Sequence, residues 1–172
     1  ATRPPITKLY AQGDIGGMWN LIFRSAKITF YLLMILSIPA IIEIETVLSL
    51  WLRDVPEYTS NIVVLMLMMT LIETLVNQLI SAFQAANRIK RYQQYSSTII
   101  LLCVPLSFVV LKFWKMNPMI PYVISIALSF FYVLSIVVVA KMELNMSMKK
   151  FLHSVLIRNV IVFVIVFVLV RV

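Results

Sequence analysis

Long apolar stretches separated by short clusters of charge run the whole length of the chain. Five of them approach the roughly 20 helical residues that a bilayer core requires: 28–42, 62–83, 98–111, 119–140 and 154–170. The first reaches across only by borrowing residues before Lys27 or continuing past Glu43, or by letting charged ends snorkel. Pro39 near its far end predicts a kink, and Pro105 falls inside the third stretch. Residues 1–27 read as a leader, with Asp14 as the N-cap of a helix over 15–27. Between the first two spans, Ile44, Val47, Leu48 and Trp51 recur at helical spacing among Glu43, Glu45, Thr46 and Ser49. That pattern predicts a helix lying in the membrane interface with Trp51 at headgroup depth. Met142, Leu144, Met146 and Met148 alternate with polar residues, but between two spans a short interfacial connection fits better than a strand.

Composition removes the soluble alternatives. Of 172 residues, 62% are hydrophobic and 13% charged, against about a quarter charged in a soluble domain. Lipid demands that backbone groups pair within the spanning element, and no run shows the alternation of barrel strands. The fold class is therefore all-α: a multi-pass transmembrane helix bundle of about five spans forming a single membrane domain. No internal repeat is visible. The chain starts at Ala1 without a secretory pattern and stops at Val172 just past an apolar run, which reads as a piece of a longer protein.

Fifteen Lys and Arg against seven Asp and Glu give a formal charge of +8. In a soluble protein that surplus points to nucleic acid; in a bilayer protein basic residues collect in cytoplasmic loops and touch anionic lipid, so membrane lipids and not nucleic acid are the expected contacts. Arg3, Lys8, Arg24 and Lys27 precede the first span, and the loop after it holds Glu43, Glu45, Asp54 and Glu57 against Arg53. Arg88, Lys90 and Arg91 fill the next turn with no acid, and Lys141, Lys149 and Lys150 stand against Glu143 in the segment before the last span. This alternation predicts a cytoplasmic leader, with the turn of Lys112 and Lys115 as the exception outside.

Glu73 is the one acid deep inside a span. Glu73, Asn77, Ser81, Gln84 and Arg88 follow steps of three and four and share a helix face, which Thr70, Thr74 and Gln78 broaden. A carboxylate near the bilayer middle is expensive unless it meets water or a partner. One reading is a polar stripe lining a substrate path; the other is helix-to-helix hydrogen bonding, with Glu73 protonated against a neighbouring span. Arg158, followed by Asn159, either snorkels to the headgroups or contacts a phosphate. The cluster Arg88, Lys90 and Arg91 is either a cytoplasmic rim that meets a diphosphate or a topology anchor.

Signals for catalysis are poor. His153 is the single histidine, so neither a zinc site nor a histidine triad can be assembled. Gly13, Gly16 and Gly17 lack a preceding strand and make no phosphate loop. Lone Cys103, in an apolar run, reads as a buried inert thiol. Asn145-Met146-Ser147 matches a glycosylation sequon at chance frequency. No enzyme, cofactor or metal site is expected.

Several strings resemble a known family. Pro5-Ile6-Thr7-Lys8-Leu9-Tyr10-Ala11-Gln12-Gly13-Asp14 with Met18, Leu21 and Arg24, then Val47-Leu48-Ser49-Leu50-Trp51-Leu52 with Val55-Pro56-Glu57-Tyr58, Ala85 to Gln93, and Pro105-Leu106-Ser107 are similar, in order and spacing, to segments of bacterial Wzx-type polysaccharide flippases. These belong to the multidrug/oligosaccharidyl-lipid/polysaccharide exporter superfamily. The resemblance covers about the first two-thirds of the chain. It implies a two-lobe parent of 12 to 14 spans, of which this chain holds spans nine to thirteen, in the bacterial cytoplasmic membrane. It further implies alternating-access translocation of undecaprenyl-diphosphate-linked oligosaccharide for polysaccharide biosynthesis, with the polysaccharide polymerase machinery as a further partner. Glu73, Asn77, Ser81 and Gln84 would line the substrate path, and Arg24, Arg88, Lys90, Arg91 and Arg158 its cytoplasmic rim. The rival readings are a cation-coupled multidrug exporter of the same superfamily and a membrane-embedded glycosyltransferase or polymerase.

Overall fold

The computed structural model describes residues 3–52, 54–114 and 120–171. Helix α1 spans Arg3–Ala11, α2 Ile15–Ile42, α3 Ile44–Trp51, α4 Thr59–Ala85, α5 Ile89–Trp114 and α6 Ile120–Leu144. The last span begins with α7, Met148–Phe151, passes through a π-helical segment, Leu152–Ile157, and continues as α8, Arg158–Arg171. No strand occurs among the described residues, so the alternating methionines end one helix and start the next. Arg53, and the residues from Lys115 to Met119, where the sequence put a turn and the start of a span, lie outside the described residues.

Five helices are long and apolar enough to cross a bilayer, which makes this a membrane-embedded, multi-pass protein. Each extends beyond its apolar stretch. The first is long enough because it borrows residues before Lys27: α2 starts at Ile15, directly after Asp14, whose carboxylate accepts the Gly17 N–H at 2.8 Å. Gly17 matters to this cap, since a Cβ there would collide with the Asp14 carboxylate. Gly13, at φ 78°, ends α1 in the left-handed conformation that glycine adopts without steric cost. Pro39 lies within α2, which closes one turn later as Glu43 N–H reaches Pro39 O at 3.0 Å.

The spans stand in a row rather than a closed ring. In space the order is α5, α6, α4, α2, α8, each helix packing chiefly on its neighbours in that list. Two contacts fix the sense of the central pair: Glu73 meets Ser129 and Arg88 meets Glu143, the same order along both helices, so α4 and α6 run parallel. Cys103 meets Ser125 while Arg91 meets Glu143, so α5 and α6 run antiparallel. α1 seats its fully buried Ile6 against α2 and α4. The core follows the row, from Phe83 stacked on Tyr92 at 4.9 Å to Trp19, Phe23 and Phe151 in ring contact. The outermost helices leave apolar side chains such as Leu101, Val104 and Leu169 exposed, the surface that lipid covers.

In α3 the side chains divide differently from the sequence pattern. Leu48 is buried against the bundle while Leu50 and Trp51 stand exposed, so the apolar face is split between protein and membrane.

Candidate functional site

Glu73 lies midway along α4, about 20 Å of helical rise from either end. The buried side of α4, with Leu71, Leu75, Val76, Leu79, Ala82 and Phe83, packs on α6 and α2. Asn77, Gln84, Thr70 and Arg88 are exposed and Glu73 and Ser81 half-buried. The polar stripe therefore starts at the edge of the α4–α6 contact with Glu73 and runs on through Asn77 and Gln84, which neither neighbour covers.

Because α5 packs on α6 and barely touches α4, a gap remains between α4 and α5. It holds a cavity of about 180 Å³ lined by Met69, Glu73, Ile99, Ile100, Cys103, Ser125, Leu128, Ser129 and Tyr132. Ser129 donates its hydroxyl to Glu73 Oε1 at 3.1 Å. Ser125 donates to Pro121 O at 2.8 Å, and Cys103 Sγ lies 3.3 Å from the Ser125 hydroxyl. A liquid water occupies about 30 Å³, so this volume has room for several.

Both readings of Glu73 thus describe part of what is seen: a neighbouring span supplies one hydrogen bond, and the carboxylate also lines an open cavity whose remaining walls are mostly apolar. Two residues leave the stripe. Gln78 donates to Thr29 Oγ1 of α2 at 3.4 Å, and buried Thr74 bonds back to Thr70 O at 2.8 Å; these serve packing. Asn77, Ser81 and Gln84 flank the cavity on the same helix without lining it. Cys103 is a correction: it is partly exposed and lines the cavity beside a serine, because the step from Ile99 to Cys103 turns it toward α6 and away from lipid.

Two further clefts lie between this cavity and the end of the bundle that carries the α4–α5 turn. Arg91, Gln94, Tyr95, Thr98 and Ile99 line one of about 410 Å³; Asn87, Arg88, Lys90, Arg91 and Glu143 line another of about 250 Å³. Arg91 belongs to both, and Ile99 belongs to the middle cleft and the Glu73 cavity. Gln94, Tyr95, Thr98, Ser125, Ser129 and Tyr132 were missed by the sequence reading, although 91, 94, 95, 98 and 125, 129, 132 each follow helical spacing.

The turn itself is well specified. Arg88 N–H reaches Phe83 O at 2.9 Å and Asn87 N–H reaches Gln84 O at 3.2 Å, with Asn87 at φ 54°. This is the paired bonding of a Schellman motif, with Asn in the left-handed position. It aims Arg88 and Arg91 at one carboxylate: Arg88 Nη1 lies 3.0 Å from Glu143 Oε2 and Arg91 Nη1 2.6 Å from Oε1.

The remaining expected rim residues are elsewhere. Arg24 and Arg158 are exposed on α2 and α8, and neither lines the clefts beside Arg91. The structure does not bring Arg158 to the Arg88 cluster, because α8 stands at the opposite end of the row from α5. No cluster of metal-ligating side chains occurs among the described residues. No family model, curated protein or solved structure matches the chain.

Proposed function

We propose that this chain forms one wall of a transport path in a flippase of the Wzx type, which moves undecaprenyl-diphosphate-linked oligosaccharide across the bacterial cytoplasmic membrane. The observation that carries the reading is the exposed polar residues of α4 together with a succession of clefts from Arg88 and Arg91 to Glu73 that share the lining residues Arg91 and Ile99. A polar face at mid-membrane is costly against lipid, so it borders water or a further part of the transporter. The substrate class comes from the resemblance of the leader, of the segment Ala85 to Gln93 and of Pro105-Leu106-Ser107. The charge alternation of the loops puts the Arg88 end in the cytoplasm. There Arg88, Lys90 and Arg91 meet the diphosphate, and Glu73, with Asn77, Ser81 and Gln84 beside it, offers hydrogen-bonding partners to the sugars. The role is transport, without bond-making chemistry. A cavity of about 180 Å³ at Glu73 is too narrow for an oligosaccharide, so passage requires α4 and α5 to separate, as alternating access demands.

That same volume favours a second reading, a cation-coupled exporter, because one carboxylate with a serine hydroxyl suits a proton or small cation. The deciding experiment reconstitutes the transporter in proteoliposomes and follows a fluorescent short-chain prenyl-diphosphate-linked sugar and a cationic dye in parallel. The flippase reading predicts movement of the lipid-linked sugar that falls in Arg91→Gln. Dye efflux alone, lost in Glu73→Gln, establishes the exporter instead.

A further inference from the structure

Glu143 is electrostatically out of place. It lies in the last turn of α6, where the helix dipole is negative and an acid is disfavoured, yet its side chain is only 13% exposed. Two guanidiniums hold it, Arg88 through Oε2 and Arg91 through Oε1, and Arg88 Nη1 also donates to the Glu143 carbonyl at 3.0 Å. The cluster stands at the N-terminal end of α5, Ile89–Trp114, whose unpaired N–H groups and dipole favour an anion as well. Charge does not balance there: Arg88, Lys90 and Arg91 face one carboxylate across a cleft of about 250 Å³. The arginine side chains are 53% and 65% exposed, and ion pairs so exposed are weak.

We propose that Arg88, Lys90 and Arg91 form a seat for a phosphate-bearing group, and that the Glu143 carboxylate is its resident counter-anion, displaced when the phosphate arrives. A carboxylate offers one oxygen to each arginine. A phosphate offers three, enough to receive both guanidinium forks and the Lys90 ammonium. When the Glu143 carboxylate is released, the last turn of α6 loses both ion pairs to the α4–α5 turn, so occupancy of the seat loosens α6 from that turn. The chemistry is the same for the headgroup of an anionic phospholipid and for a free diphosphate. The seat lies at the mouth of the path proposed above, but it does not rest on what that path carries.

The test uses the full chain with two probes. Inorganic diphosphate is titrated by calorimetry in an uncharged maltoside micelle; in parallel, native mass spectrometry counts phosphatidylglycerol against phosphatidylcholine retained from mixed nanodiscs. Glu143→Gln is expected to bind at least one probe about tenfold tighter than the unaltered chain, and Arg91→Gln to lose that binding. Tightening toward phosphatidylglycerol alone identifies a lipid headgroup as occupant, and tightening toward diphosphate as well identifies a diffusible phosphate. Unchanged or weaker binding of both probes by Glu143→Gln overturns the proposal. Should that variant fold poorly, hydrogen exchange on the unaltered chain decides: diphosphate or phosphatidylglycerol accelerates exchange at 140–146 if Glu143 is displaced, and unchanged or slower exchange with both overturns it. Absence of lipid-linked sugar transport by the unaltered protein, with intact probe binding, would refute the flippase reading and leave the seat standing.

Discussion

Whether the space beside Glu73 is wet has an energetic signature. Consider the cycle of Glu73→Gln, Ser129→Ala and the double variant, with stability measured by steric trapping in bicelles. The two side chains share one hydrogen bond, Ser129 Oγ to Glu73 Oε1 at 3.1 Å. In a water-filled cavity, water takes over when the serine is removed, and the coupling falls in the range found for hydrogen bonds between membrane helices, about 0.6 kcal/mol and at most about 1.7. In a dry helix contact, removing Ser129 strands a carboxyl group at mid-membrane with nothing to replace its donor. Leaving a buried hydrogen-bonding group without its partner costs about 1–3 kcal/mol, and the cycle would return a coupling toward the top of that range. The structure argues for the small value: Glu73 is half-buried and several waters fit beside it. A coupling above about 1.7 kcal/mol, beyond the range found for hydrogen bonds between membrane helices, would refute the wet cavity and return the stripe to packing.

Three further outcomes follow from local structure. Asn87→Ala should destabilise the chain by about 1 kcal/mol in the same assay, whereas Asn87→Gly should be neutral or stabilising, because φ 54° is left-handed and only glycine adopts it freely; equal losses in both would contradict the turn geometry. Gly17→Ala should push the Asp14 carboxylate off its N–H and lose the cap, worth about 0.5–2 kcal/mol, while leaving Asp14→Ala no further effect in the Gly17→Ala background. Asn159 is fully buried with neither side-chain amide atom hydrogen-bonded; Asn159→Leu should therefore stabilise by about 1–3 kcal/mol, the cost of an unsatisfied buried group, and a loss of stability would show that the amide has a partner.

The spans were legible in the sequence because lipid imposes one rule on every apolar stretch, and Asp14 was legible as a cap because its bond is local. The polar face of α4 was legible for the same reason: steps of three and four need no tertiary information. Which side of that face the neighbours cover was not. Gln78 bonds to Thr29 of α2 and Thr74 is buried, and only the packing of the neighbouring helices separates them from Glu73 and Asn77. Glu143 was read as one acid among lysines because its partners lie 55 residues away in Arg88 and 52 away in Arg91, beyond any local pattern. The cleft residues Arg91, Gln94, Tyr95 and Thr98 had a visible period but were hidden by starting the apolar stretch at Thr98, although α5 begins at Ile89. Arg158 shows the converse: charge alone grouped it with the rim, and the row places it at the far end.

The most direct test of a polar path uses the one cysteine the chain already has. Cys103 lines the cavity with Glu73, whereas Val104, next to it, is exposed on the apolar surface. A membrane-impermeant cationic methanethiosulfonate reagent, which needs water to reach and ionise the thiol, should modify Cys103 in intact membranes and fail to modify a cysteine placed at Val104 in a Cys103→Ser background. Protection of Cys103 equal to that of position 104 would contradict the account.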